Sequence, residues 1–286
     1  MPCVKSAFMN MRDELIKIAK QDLYTSKILH KHRLYSQAIF YFQQSVEKQS
    51  KSLGLLLGNI EEKELSKGIW HHTVKIFEKD AQKQLITYQK FKQLLDTFPM
   101  IESAGAHKQF KIKTEIKRTE RLLQDFQQMK EKHNKLVFLS SEKIKQTVVE
   151  LNKLKTELKQ QSILKLNEKQ LLELKQELLK YYSILKKLNP VRFEEIKQTI
   201  NKLDIRTVTK LMHAYLAVLS LVLVTYATSL CLASITFPHS ILPRYPQEEL
   251  TPLKVYTRKL PIVRWLPKLI DLQKEAISGV IRLSKM

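Results

Sequence analysis

Gln43, Glu47 and Lys51 stand four residues apart in "AIFYFQQSVEKQSKSLG". On a helix those steps stack the three side chains on one face, and Glu followed by Lys at the fourth residue is the favourable order for an ion pair. Such a row either holds a polar ligand or is a solvated helix face, and spacing does not choose between them. Four histidines are the other groups that could move protons or ligate. His71 and His72 are adjacent, so on a helix they diverge by about 100° and make a poor metal pair; one of them is expected in a core or an interface. His30 and His32 have no acidic or cysteine neighbour at ligand spacing, so they too are expected to be structural or to bind. No Ser/His/Asp or paired-carboxylate arrangement can be read, and neither a metal nor a cofactor is expected.

The elements that must position these groups are helices. A first helix is expected from Asn10 to about His30 and a second from about Leu34 to Gly58, where Ile39, Phe42, Val46, Leu53 and Leu57 give one apolar face. A third begins near Ser66 and runs to Pro99, followed by "IESAGAHKQ" as the best internal linker. Residues 108–190 read as a polar helical arm. Ile144, Val148, Leu151 and Leu158 make one seam; Leu171, Leu174, Leu178, Tyr181, Leu185 and Leu188 make a heptad seam. Asn167 followed by Gln170 resembles a helix cap with its reciprocal partner. The arm is therefore expected to be an antiparallel coiled-coil hairpin, a single long rod being the alternative. Pro190 ends it, and beyond the apolar run a final helical pair splits at Pro261 or Pro267.

Composition narrows the function. Only five of the 286 residues are glycine and the sequence has neither GxGxxG nor GxxxxGK[ST], so a dinucleotide fold or P-loop has no support. Cys3 and Cys231 are too few for a disulfide framework or a Cys-based zinc site, and the first residues lack the apolar core of a signal peptide, so a cytoplasmic location is expected. Fifty Lys and Arg against 28 Asp and Glu give a net charge of +22, which favours a polyanionic partner, nucleic acid or an anionic membrane face. Lysine supplies 40 of those cations and is spread along the chain, so an overall lysine bias explains the charge equally well.

The stretch Asp22 to Gly58 resembles the opening of the HEPN domain family, a helical bundle of prokaryotic toxins and defence proteins. The residues that carry the resemblance are Asp22, Leu23, Ala38, Gln43, Gln44, Ser45, Glu47, Lys48 and Lys51. A second match is Arg244, Tyr245 and Pro246 after the apolar run, in the family's order. The resemblance implies an all-α, HEPN-like helical bundle with a long antiparallel coiled-coil arm inserted: 10–98 the first part, 108–190 the arm, and 191–286 the second part, with the apolar helix 214–237 and the RYP loop. It also implies that Gln43, Glu47, Lys48, Lys51, Arg244 and Tyr245 form one polar surface for RNA or a nucleotide. Active members use Arg, four to six residues, then His: the imidazole moves protons at the attacking hydroxyl or leaving oxygen, and Arg stabilises charge on the phosphate. Here Lys67 stands where that Arg is needed ahead of His71 and His72, and a point charge does not replace a guanidinium fork. Arg206 and His213 have the spacing, but chance alone supplies about one such pair, and they lie outside the family's position. Binding with weak or no catalysis is the expectation. A toxin–antitoxin or defence role, a homodimer, and a nucleotidyltransferase antitoxin as partner are implied by resemblance only.

The alternative is a coiled-coil structural protein anchored in a membrane. Ala214 to Phe237 holds no Asp, Glu, Lys or Arg and as a helix reaches about 36 Å, enough for a hydrocarbon core of about 30 Å. Cations flank it on both sides, so orientation has no charge asymmetry. Thr225, Thr228, Ser229 and Thr236 project within about 100° of one another, a small hydroxyl-bearing side suited to close packing in either solvent.

Overall fold

The computed structural model describes residues 10–65, 73–97, 112–134, 138–161, 167–183, 185–243 and 251–286. Every element among them is helical: α1 Met11–Lys31, α2 Tyr35–Leu56, α3 Val74–Thr97, α4 Ile112–Asn134, α5 Ser141–Gln161, α6 Glu168–Tyr182, α7 Leu185–Leu188, α8 Pro190–Asn201, α9 Ile205–Thr236, a 3₁₀ turn Phe237–His239, α10 Pro252–Val255 and α11 Pro261–Leu283. The chain forms two compact units, residues 1–151 with 225–286, and residues 152–224.

In the first unit α2 is the central helix, packed along α1 and against α3, α10, α11 and the 3₁₀ turn, while α3 packs on α4. Its apolar face, Ile39, Phe42, Val46 and Leu53, is at most 2% exposed. Its other faces are buried too, and small hydroxyls make that tolerable. Ser45 Oγ donates to the Ala19 carbonyl at 2.7 Å, Ser52 Oγ to that of Arg12 at 3.0 Å, and Ser26 Oγ of α1 to that of Ala38 at 2.8 Å. These bonds fix α1 and α2 as an antiparallel hairpin and satisfy the three hydroxyls that make them, whereas Ser50 Oγ of α2 is buried without a hydrogen-bond partner among the described residues.

The helix ends follow from local sequence. The Asn10 side chain caps α1. Gly58, at φ +68, closes α2, with Asn59 N–H reaching the Gly54 carbonyl and Gly58 N–H that of Leu55. The same double bond ends α1, but there the left-handed position at φ 61 holds Arg33. A Cβ is strained in that conformation. Arg33→Gly is therefore expected to raise stability by about 1 kcal/mol, read as a higher urea midpoint at unchanged slope.

α11 contains Pro267, which has no N–H to give the Val263 carbonyl four residues back. His30 Nε2 supplies it, at 3.1 Å. The helix thus stays intact through an internal proline because α1 provides the missing donor, and the expected helical pair divides at Pro261.

The seam of Ile144, Val148 and Leu151 is buried in the core of the first unit, alongside Phe126 and residues of α11. Trp265 Nε1 donates to Ser141 Oγ at 2.9 Å, tying α5 to α11. The second seam lies in the second unit, where α6 and α7 pack on α8. Tyr181 and Leu188 of that seam are exposed. The two compact units divide at 151/152 and 224/225. A heptad pattern shows that a face is apolar without showing which element covers it.

α9 changes character along its length. From Leu211 to Leu223 the large apolar side chains Leu211, Tyr215, Val218 and Leu223 are exposed, and from Thr225 onward Leu232, Ala233, Ile235 and Phe237 join the core. The helix is long and apolar enough to cross a membrane. From Thr225 onward one side of the helix is buried in the core and Tyr226, Ala227 and Leu230 pack partly against it, and the charge-free residues before Thr225, 214–224, reach only about 16 Å, half of a hydrocarbon core. The membrane-anchor alternative is not favoured.

Candidate functional site on the second helix

The row on α2 is a closed chain of hydrogen bonds. Glu47, 4% exposed, accepts from Lys51 Nζ at 2.8 Å through Oε1 and from Gln43 Nε2 at 3.1 Å through Oε2. Gln44 Nε2 donates to the Gln43 Oε1 at 2.7 Å, and Gln44 Oε1 accepts from Lys48 Nζ at 3.0 Å. Lys48 Nζ also reaches Asp22 Oδ2 of α1 at 2.7 Å. Two carboxylates and two ammonium groups balance, so the row has no net charge.

This settles what the row does mechanically. Glu47 and Gln43 are interior groups, and Lys48 joins α1 to α2. The charge of each lysine is already matched by a carboxylate, which weakens its pull on a phosphate. The sequence suggested the Glu47–Lys51 pair; it gave no sign that Asp22 answers Lys48, because that contact depends on how α1 and α2 are paired.

With α1 and α2 in place, residues 13–97 match the family model described as HEPN domain. This chain carries a HEPN domain. No curated protein and no solved structure matches the chain.

The HEPN match covers α1, α2 and α3 and stops before α4. It includes every α2 residue on which the resemblance rested. Arg244, Tyr245 and Pro246 lie outside the described residues, as do His71 and His72. Pro243, immediately before Arg244, offers its carbonyl to Ser36 Oγ at 2.9 Å. That anchors Pro243 on the first turn of α2, about 10 Å along the helix from Gln43.

Arg206 and His213 are both on the part of α9 that belongs to the second unit, Arg206 exposed and His213 half-buried. They sit about two turns, or 10 Å, apart along the axis. Among the described residues no three His, Cys, Asp or Glu side chains come together as a metal site.

Two buried groups with acid–base character escaped the sequence reading. His239, in the 3₁₀ turn, stacks on Phe138 with ring centres 4.6 Å apart, and its Nδ1 shares a hydrogen bond of 2.9 Å with Tyr256 Oη, the imidazole tautomer deciding which of the two donates. Burial pushes the Tyr256 phenol well up, so it stays protonated. Tyr226 of α9 meets Phe77 of α3 edge-on at 5.2 Å; burial first, then the Asp80 carboxylate that accepts its hydroxyl, push its ionisation up as well. Neither cluster has a sequence signature, since each joins residues far apart in the chain. Tyr256→Phe removes a hydrogen-bond partner of a histidine that is 3% exposed, and is expected to cost about 1–2 kcal/mol by thermal or urea unfolding.

Proposed function

We propose that this chain is an RNA- or nucleotide-binding HEPN protein of a toxin–antitoxin or defence system, acting in the cytoplasm with weak or no nuclease activity. The observation that carries the reading is a HEPN domain at residues 13–97 within a chain of net charge +22. A polyanion is the partner such a charge attracts. Weak catalysis follows from Lys67 standing ahead of His71 and His72, and from the Arg206/His213 pair lying outside the family match. The surface that the resemblance implies, Gln43, Glu47, Lys48 and Lys51 with Arg244 and Tyr245, serves in this reading as a platform on α2 whose own lysine charges are matched by Asp22 and Glu47. A homodimer and a nucleotidyltransferase antitoxin are its proposed partners.

The test is a gel shift and cleavage assay with single-stranded RNA at low and at physiological salt. Affinity is expected to fall steeply with salt, each neutralised phosphate adding about 0.7 to the slope of log K against log salt. Protein that neither shifts nor cleaves RNA at low salt overturns the proposal. If cleavage appears, His71→Ala, His72→Ala, Arg206→Ala and His213→Ala identify its source. A nucleotidyltransferase encoded next to this chain, co-purifying as a complex, would support the antitoxin assignment.

A further inference from the structure

On α1, Lys20, Tyr24 and Lys27 step by four and three, and all three are exposed. Tyr24 is 67% exposed, unusually open for a ring on a helix that packs along two others. α11 runs beside this stripe, and between the two helices lies a groove of about 440 Å³. Its floor is Leu23, Ile270 and Ile277, and Lys274 stands on the far rim. Among the described residues neither Lys20 nor Lys27 has a carboxylate partner, whereas Lys274 is paired with Asp271 at 2.9 Å.

We infer that this groove binds single-stranded nucleic acid, with one base stacked on Tyr24 and the phosphates on either side held by Lys20 and Lys27. The inference rests on the proposal that the chain binds RNA, and it locates the contact away from the α2 row. Three features argue for this ligand. An aromatic face stacks any base, and base stacking is a main source of affinity for single strands. Lys20 and Lys27 lie about 10 Å apart along the helix with the ring midway, so a strand lying along α1 meets a cation on each side of the stacked base. The Lys48 and Lys51 cations of the α2 row are already held by Asp22 and Glu47, while the cations of this stripe are available. A second copy of the chain, itself at +22, would bring like charge to a lysine rim. An acidic amphipathic helix is the competing occupant; it would need open apolar floor, but Leu23, Ile270 and Ile277 are each at most 6% exposed.

Stacking and charge leave different signatures, which makes the test specific. Binding of a fluorescein-labelled uridine 12-mer to the full chain is followed by anisotropy at several salt concentrations. Tyr24→Ser is expected to weaken binding about tenfold with the salt slope unchanged, and Tyr24→Phe to restore it. The Lys20→Gln/Lys27→Gln double variant is expected to reduce the slope by about 1.4. Lys186→Gln/Lys187→Gln, in the second unit, should leave affinity within about twofold of wild type. Hydrogen exchange is expected to show protection of Lys20–Lys27 when the oligonucleotide is added. The inference is overturned if wild type binds the 12-mer and the Tyr24 and Lys20/Lys27 variants bind it equally well. It is overturned too if an acidic amphipathic peptide protects this stretch and the oligonucleotide does not. A wild type that binds no RNA at all instead removes the proposal on which it rests.

Discussion

Lys51→Ala is expected to cost about 3 kcal/mol of folding stability, because it removes an ion-pair partner from a buried carboxylate. Glu47 is 4% exposed, and after the substitution its Oε1 loses the 2.8 Å bond from Lys51 while Oε2 keeps the Gln43 and Gln44 amides. Neutralising the acid should recover much of the loss. Glu47→Gln in the Lys51→Ala background is therefore expected to be more stable than Lys51→Ala alone, and the double-mutant cycle gives the coupling directly. Urea unfolding of the four proteins measures it. The same experiment separates two roles of the row. If Lys51 served chiefly as a ligand contact, Lys51→Ala would weaken RNA binding while leaving the urea midpoint where it was.

Gly279→Val should be almost as damaging, at about 3 kcal/mol, by steric collision between helices. A Cβ placed on Gly279 of α11 would lie 2.2 Å from Thr225 Oγ1 of α9, and 2.9 Å from its Cγ2. Both residues sit inside regular helices, so neither backbone can move without disturbing a buried face. Thr225→Ala removes both offending atoms, and the double variant is expected to regain most of the stability in thermal unfolding. Failure of that rescue would show that some contact besides Thr225 requires glycine here.

The collision also explains the small hydroxyl-bearing side of α9. Thr225, Thr228, Ser229 and Thr236 are each at most 2% exposed, and their hydroxyls have acceptors or donors at hand: Ser229 Oγ donates to the Thr225 carbonyl at 2.7 Å and accepts from Gln49 Nε2 at 2.9 Å. Small side chains let α9 approach α11 and α2 closely, and internal hydroxyl bonds make their burial cheap.

Local features were legible in the sequence and remote pairings were not. The Asn167–Gln170 capping box forms as expected, each side chain bonding the other's backbone N–H, because both partners lie within one turn. The α1 and α2 boundaries, the Glu47–Lys51 pair and the buried hydroxyls of α9 are short-range patterns of the same kind. By contrast, the seam of Ile144, Val148 and Leu151 reads identically whether it faces a coiled-coil partner or the main core, and only the fold selects the core. The Asp22–Lys48 bridge, the Tyr256–His239 bond and the Gly279–Thr225 approach each join separate elements. Their composition carries no trace of the pairing. Lys20, Tyr24 and Lys27 had a readable three- and four-residue spacing, but without α11 beside them they looked like any polar helix face.

The bond from His30 to the Val263 carbonyl spans 233 positions of sequence, from the first described helix to the last. Because Pro267 has no N–H, that carbonyl has no local competitor for its donor, so the tie between α1 and α11 is specific. It also imposes an order on biosynthesis. The α1–α2 hairpin can form as soon as it leaves the ribosome, but α11 begins more than 160 residues after the HEPN match ends. At the usual rate of about 5–20 residues per second, its arrival follows by roughly ten seconds or more. During that interval the α2 face that α11 covers is bare. The segment recognisable as HEPN is thus an incomplete folding unit, finished only when the distal helix returns to it.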